Sequence, residues 1–318
     1  MPKRQLSRSL AAFLSLAVLL IALPPAEAGP LRDRIAQLRN QQGHDDSLDE
    51  DGAATAAPLP PGTRVWRDVA YGSDPNQRFD VYAPAKAKVA PVILMVHGGG
   101  WARGDKAARG VAPNKVARWI PKGFMVISAN YRMLPAADPL TQARDVARAL
   151  AAAQERAAEW GGDASRFILM GHSAGAHLVA MLTSSPALAS EAGAKPWLGA
   201  VYLDSAALDL VSLMEGRHFG LYDRAFGADK EYWRANSPYH LLTRAAPPVL
   251  AVCSTRRAEA CPHARAYTAK ARSLGMSASV LEEDLTHGQI NGELGLESPY
   301  TAAVESFFDS ILKPRPAR

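Results

Sequence analysis

The 318-residue sequence has only two cysteines, no spaced cluster of His, Cys and Asp, and no stretch in which Lys and Arg gather around aromatic residues. The first two absences leave a bound metal without a ligand set. The third leaves nucleic acid without an electrostatic footprint. Glycine (24) and proline (23) are too few and too aperiodic for a collagenous or disordered chain. There is no internal repeat. What remains is ordinary globular composition, 48% hydrophobic and 21% charged with a net charge of +5. Its length accommodates a single α/β domain of roughly 250 residues.

The two ends of the N-terminal region read differently from that domain. Lys3, Arg4 and Arg8 precede an apolar run from Leu10 to Leu23, which is shorter than the roughly 20 residues a membrane-crossing helix needs. Pro24-Pro25 ends the run, and Ala26-Glu27-Ala28 offers the small residues of a signal-peptidase site. Residues 1–28 are therefore expected to be a signal peptide cleaved before Gly29, giving an exported protein, periplasmic or secreted, with no membrane attachment after cleavage. No cysteine stands near position 28, which excludes a lipoprotein. Loss of the three positives and Glu27 leaves a charge of +3. Residues 29–62 read as a disordered tether: an acidic cluster from Asp45 to Asp51 is followed by Ala- and Pro-rich sequence ending at Pro60-Pro61-Gly62.

From residue 63 strands alternate with helices. Arg64–Ala70 and Arg78–Tyr82 alternate apolar and polar residues, as half-exposed strands do. Pro91–Val96, Phe124–Ala129, Arg166–Met170, Leu198–Leu203, Pro248–Val252 and Ala278–Leu281 read as further strands, the continuous apolar runs among them suiting burial on both faces. Helices are expected at Pro113–Trp119, Thr141–Trp160, Ala174–Thr183, Pro262–Leu274 and Thr301–Leu312. This alternation implies an α/β fold with a mostly parallel central sheet and helices on both faces. Residues 205–246, polar and aromatic between two core strands, read as a small cap insertion over a pocket.

Two motifs carry chemistry. Gly171-His172-Ser173-Ala174-Gly175 lies between an apolar strand and a helix, the context of a nucleophile elbow. Such a turn exposes the Ser173 hydroxyl at the carboxyl edge of the sheet and aims a helix N-terminus at a developing oxyanion. His97-Gly98-Gly99-Gly100-Trp101 follows the strand Pro91–Val96, and its glycines leave backbone N–H groups open to a ligand. Trp101 either lines an acyl pocket or packs under the loop.

With Tyr82, Asn130-Tyr131-Arg132 and the helix of Asp145 around them, these motifs resemble the α/β-hydrolase superfamily over roughly residues 63–313. Within it the chain resembles the esterase/lipase group with an HGGGW-type oxyanion loop, including carboxylesterases and feruloyl-esterase-like proteins. The extended elbow, through His177-Leu178, is similar to that of kynurenine formamidases. The resemblance implies Ser173 as nucleophile and the backbone N–H groups of Gly99, Gly100 and Ala174 as oxyanion donors, with no cofactor. The fold's chain order of Ser, acid, His points to His287, six residues beyond Leu281, as the base. The other histidines fit that role less well.

The acid departs from the family pattern. After Pro248–Val252 an aspartate is expected, and the only carboxylate in the stretch Cys253 to Cys261 is Glu259. Glu259 is the favoured acid, Asp204 at the end of the preceding strand is the runner-up, and Asp209 and Asp284 are weaker candidates. In an exported protein Cys253 and Cys261 are expected to pair as a disulfide that would hold Glu259 beneath His287. The expected function is an exported serine carboxylic-ester hydrolase acting on small or aromatic esters through an acyl-enzyme. Two alternatives stay open: an aryl formamidase, and a catalytically silent hydrolase fold used for binding.

Overall fold

The computed structural model describes residues 57–313. The expected signal peptide 1–28, and the tether up to residue 56, lie outside the described residues.

Eight strands form one sheet: β1 (Arg64–Ala70), β2 (Arg78–Ala83), β3 (Ala90–Val96), β4 (Met125–Ala129), β5 (Gly162–His172), β6 (Gly199–Leu203), β7 (Val249–Ser254) and β8 (Ala278–Glu283). Their order is β1-β2-β4-β3-β5-β6-β7-β8. β2 runs antiparallel to β1 and β4, and every other pairing is parallel. The sequence pattern follows this placement. β3 and β6 are interior strands that read as unbroken apolar runs and β4 is broken only by the buried Ser128, whereas the edge strand β1 stays partly exposed.

Successive side chains of β3 serve two cores. Val92, Leu94 and Val96 enter one, and Ile93 and Met95 enter the other. Helices α1 (Pro113–Trp119), α2 (Pro139–Trp160), α3 (Ala174–Ser184), α4 (Ala260–Ser273) and α5 (Pro299–Leu312) cover the faces. The first core is closed by α2, α3 and α4, and the second by Trp119 of α1 and by Tyr300, Val304 and Phe308 of α5. α2 begins at an Asp138 cap that accepts the Thr141 N–H at 2.8 Å, has Pro139 in its first turn, and ends on Gly161 with φ +93°. Those signals set its length.

The parallel strands β3, β5, β6, β7 and β8 lie side by side, so the segments leaving their carboxyl ends meet along one rim. These are the glycine loop, Ser173, Asp204, the Cys253–Cys261 stretch and His287. Between β6 and β7, the region read as a cap holds a short 3-10 turn, Ala207–Asp209, and four short helices, Leu210–Glu215, Gly220–Phe226, Lys230–Ala235 and Pro238–Leu241.

Candidate active site

The elbow is dictated by contact. A Cβ on Gly171 would lie 2.4 Å from the Gly175 carbonyl oxygen, and one on Gly175 would lie 2.3 Å from the His97 carbonyl oxygen. Only glycine lets β5 turn into α3 this sharply while α3 abuts the end of β3. Ser173 between them has φ 53° and ψ −117°, away from the favoured wells of an L-residue. Its N–H donates to the Leu203 carbonyl at 2.8 Å, which holds the turn. Trp101, Ser173 and Asp204 are three of the five non-glycine residues with positive φ among those described, and all three line one cavity. Strain concentrated this way is a mark of a functional site.

The glycine loop is braced from several sides. The Gly99 carbonyl accepts the N–H groups of Ala102 and Arg103, both at 3.1 Å. The His97 ring stacks on Tyr131, whose hydroxyl donates to the His97 carbonyl at 3.0 Å. Arg132 in turn forms a two-pronged ion pair with buried Asp145 of α2, both contacts at 2.7 Å. Among the described residues the amide N–H groups of Gly100 and Ala174 have no protein acceptor, and both residues line the cavity beside Ser173. Gly99 lines the neighbouring groove.

Trp101 both lines the cavity and packs. Its indole N–H points to His177 Nδ1 at 3.3 Å, and its ring meets Tyr222 and Phe226 of the cap edge-on. His177 Nε2–H donates to the Asn236 carbonyl at 2.7 Å, tying the elbow helix to the cap. Complete burial pushes the His177 pKa down to about 4, so the ring serves as a neutral strut.

His287 opens the short helix His287–Gly292 just past β8. Thr286 caps that helix through a reciprocal arrangement with Gln289. His287 Nδ1 lies 2.6 Å from Asp204 Oδ2, and both residues are buried. The carboxylate on His287 is therefore Asp204, the runner-up, and not Glu259. Glu259 sits at the N-cap of α4, where the chain turns into that helix, and its charge acts on Tyr222, Arg257 and His263. Asp204 stands at the tip of β6, and its second oxygen accepts the Ser254 N–H at 2.8 Å.

Cys253 and Cys261 form a disulfide, with Cα atoms 5.1 Å apart. What the bridged loop presents to the site is Arg257 rather than the expected carboxylate. Arg257 Nη1 donates to Asp204 Oδ2 at 2.8 Å and to the Asp204 carbonyl at 3.0 Å, and lies 3.0 Å from His287 Nδ1. One ring nitrogen cannot both donate to Asp204 and accept from Arg257. The shorter contact to a full negative charge makes Nδ1 the donor, leaving Nε2 as the basic nitrogen.

The electrostatics follow from these contacts. Burial pushes the Asp204 carboxyl up, but the Arg257 charge and the hydrogen bonds from His287 and Ser254 outweigh it and hold it well below the usual carboxylate range. Burial, the Arg257 charge and the neighbouring His172 together push His287 down to about 4, against the opposing pull of Asp204. The site at neutral pH is a neutral imidazole braced by a carboxylate. Ser173, Ala174, Gly100, His287 and Asp204 surround a cavity of about 20 Å³, closed on the cap side by Phe219, Leu221 and Tyr222. Arginine in the bridged loop is the feature that sequence reasoning missed: Arg256 and Arg257 stand side by side two residues before Glu259, and nothing in that spacing tells which of them turns to the site.

Comparison with known proteins bears on the family and the fold. The BD-FAE family matches residues 79–195. A probable isoprenylcysteine alpha-carbonyl methylesterase of Arabidopsis thaliana is 25% identical over 78% of this chain and 55% of its own length. Esterase LipC of Mycobacterium tuberculosis is 30% identical over 60% of this chain and 50% of its own. A kynurenine formamidase of Danio rerio is 30% identical over a shorter stretch, 39% of this chain and 40% of its own. The chain thus spans about half the length of the curated relatives it matches. Among solved structures, esterase B from Lactobacillus rhamnosis superposes with a TM-score of 0.63 at 19% identity, over 88% of this chain and 94% of that one.

Proposed function

This chain belongs to the α/β-hydrolase superfamily, and from that premise we propose that it is a serine carboxylic-ester hydrolase. The observation that carries the reading is the 2.6 Å contact of Asp204 with His287 Nδ1 at a cavity that Ser173 shares beside the unpaired Gly100 and Ala174 amides. In the mechanism Ser173 Oγ bonds to the ester carbonyl carbon while its proton passes to His287 Nε2. The carbonyl oxygen, now an anion, takes hydrogen bonds from Ala174, Gly100 and Gly99, each such donor being worth about 3 kcal/mol in the transition state. The carbon–alkoxide bond then breaks and the proton leaves with the alcohol. Water attacks the acyl-enzyme with His287 again accepting a proton, and the free acid departs as Ser173 is restored. Asp204 keeps the imidazole tautomer and stabilises the imidazolium.

The cavity beside Ser173 has room for about one water molecule, which favours a short acyl group. That feature also supports a second reading, hydrolysis of an N-formyl amide by the same atoms. Steady-state hydrolysis of aryl esters from acetyl to decanoyl, with Ser173→Ala as control, tests the proposal. Turnover highest for acetyl and lost in the variant supports an esterase. Turnover confined to N-formylarylamides moves the activity to a formamidase, and none with either class leaves a silent fold. The same reading puts the protein in an oxidising compartment, a proposal supported by the disulfide and the leader-like residues 1–28. N-terminal sequencing of the exported protein, with Gly29 first, is its test.

A further inference from the structure

Gly98-Gly99-Gly100 has no side chains to hold it in place, and glycine loses more conformational freedom on ordering than any other residue. The aim of the Gly100 N–H therefore depends on what pins the two ends of the loop. At one end His97 stacks on Tyr131, whose hydroxyl also reaches the Gly98 carbonyl at 3.2 Å. At the other end stands Trp101, held at φ +61°. Its carbonyl accepts the Leu134 N–H at 2.9 Å and the Gln142 side-chain amide at 2.8 Å. Its indole N–H goes to His177 Nδ1 at 3.3 Å, and the two rings meet edge to face with centroids 5.4 Å apart.

Three parts of the site converge on His177. It lies four residues beyond Ser173 on α3, and its backbone N–H donates to the Ser173 carbonyl at 3.1 Å. Its Nε2 faces the carbonyl of Asn236, the residue that closes the cap helix Lys230–Ala235. A carbonyl oxygen only accepts, so Nε2 carries the proton and Nδ1 is left as the acceptor the indole needs. Either the charged ring or the other tautomer would turn an Nδ1–H against the indole N–H. Phe226 of the cap meets both rings edge-on, with centroids 4.8 Å from Trp101 and 5.4 Å from His177. His177 itself does not line the Ser173 cavity, whereas Gly100 and Trp101 do.

Building on the ester-hydrolase reading, we propose that His177 is a positioning residue for the oxyanion loop. Its neutral ring fixes Trp101 to the elbow helix and to the cap together, and so holds the Gly100 N–H on the point above Ser173 where the carbonyl oxygen becomes an anion. The contribution belongs to the transition state, because a misaimed donor loses more against an oxyanion than against a neutral carbonyl.

Two amide side chains separate the ring's two bonds. His177→Gln sets its amide near the place of Nε2 and keeps the donor to Asn236, but removes the acceptor for the indole. His177→Asn sets its carbonyl oxygen near the place of Nδ1 and keeps that acceptor. With 4-nitrophenyl acetate, kcat is expected to fall about 30-fold in His177→Gln with KM within about twofold, short of the roughly 10²–10³ lost when a donor is deleted outright, and to recover to within about threefold of wild type in His177→Asn. Affinity for 2,2,2-trifluoroacetophenone, whose adduct with Ser173 carries the same oxyanion, should fall in parallel with kcat. Trp101→Phe, which breaks the contact from its other end, should lower kcat to a similar degree, and the double variant Trp101→Phe/His177→Gln should be no worse than about the poorer single. Lower thermal stability with kcat and ketone affinity unchanged, losses confined to KM, or additive losses in the double variant would overturn the proposal while leaving the esterase reading intact. A wild-type protein that neither turns over aryl esters nor binds the ketone rejects the esterase reading instead. Amide hydrogen exchange of a peptide spanning residues 98–104 then decides for the strut: faster exchange in His177→Gln and Trp101→Phe than in wild type sustains it, and equal exchange overturns it.

Discussion

Replacing Arg257 with methionine removes a cation that faces His287 Nδ1 at 3.0 Å without removing the apolar bulk of the side chain. With Arg257 present, His287 is held down at about 4, burial being the largest cause and Arg257 the next. The imidazole works as a base only when neutral, so kcat/KM is full above that pKa and is lost as pH falls through it. Two unit charges about 4 Å apart interact by about 4 kcal/mol at an effective dielectric of about 20, equivalent to about three pH units. Water entering the vacated space and the burial that remains reduce this, and a shift of about one to two units upward is expected. The acid limb of the kcat/KM profile, measured with a neutral aryl ester from pH 3.5 to 8, should move from near 4 to about 5–6 in Arg257→Met. Arg257→Lys, which keeps the charge, should leave the limb within about half a unit. A methionine variant whose limb stays put or moves down would refute the argument that this cation sets the basicity of His287.

The carboxylates are separable by substitution. Asp204→Asn is expected to lower kcat by about 10³–10⁴-fold through loss of the correct imidazole tautomer, while Glu259→Gln should change it by less than about twofold; stopped assays on matched protein concentrations check both. Removing the disulfide by Cys253→Ser/Cys261→Ser opens a loop with a sequence separation of 8. The chain-entropy cost is about 2–3 kcal/mol, and thermal unfolding followed by circular dichroism should shift down by about 5–10 °C. The acid limb should move up in the same variant, because the loop carries Arg257.

The sheet was legible because burial writes itself into composition. β3, β4 and β6 are buried on both faces, and their largely apolar runs were readable to within a residue or two. The elbow was legible for a harder reason: Gly171 and Gly175 are each forced by a backbone oxygen within 2.4 Å of where a Cβ would stand, so the motif encodes a contact. The acid was not legible to the same degree. β6 and β7 are neighbouring parallel strands, and Asp204 and Glu259 both follow their carboxyl ends. Position along the chain does not reveal which side chain turns toward His287. That depends on the chain entering α4 at Glu259 and on Arg257 reaching back to clamp Asp204, both of which are three-dimensional facts. The pairing of Cys253 with Cys261 was readable from spacing, but what it holds in place was not.

The whole mechanism turns on Ser173 as a nucleophile activated by His287 and Asp204. Labelling the intact protein with a fluorophosphonate, followed by mass mapping of the modified peptide, tests it most directly. One adduct is expected, on Ser173, formed at least about 10³-fold more slowly in Asp204→Asn and absent in Ser173→Ala. An unlabelled wild-type protein, or an adduct that forms equally well in Ser173→Ala, would contradict it.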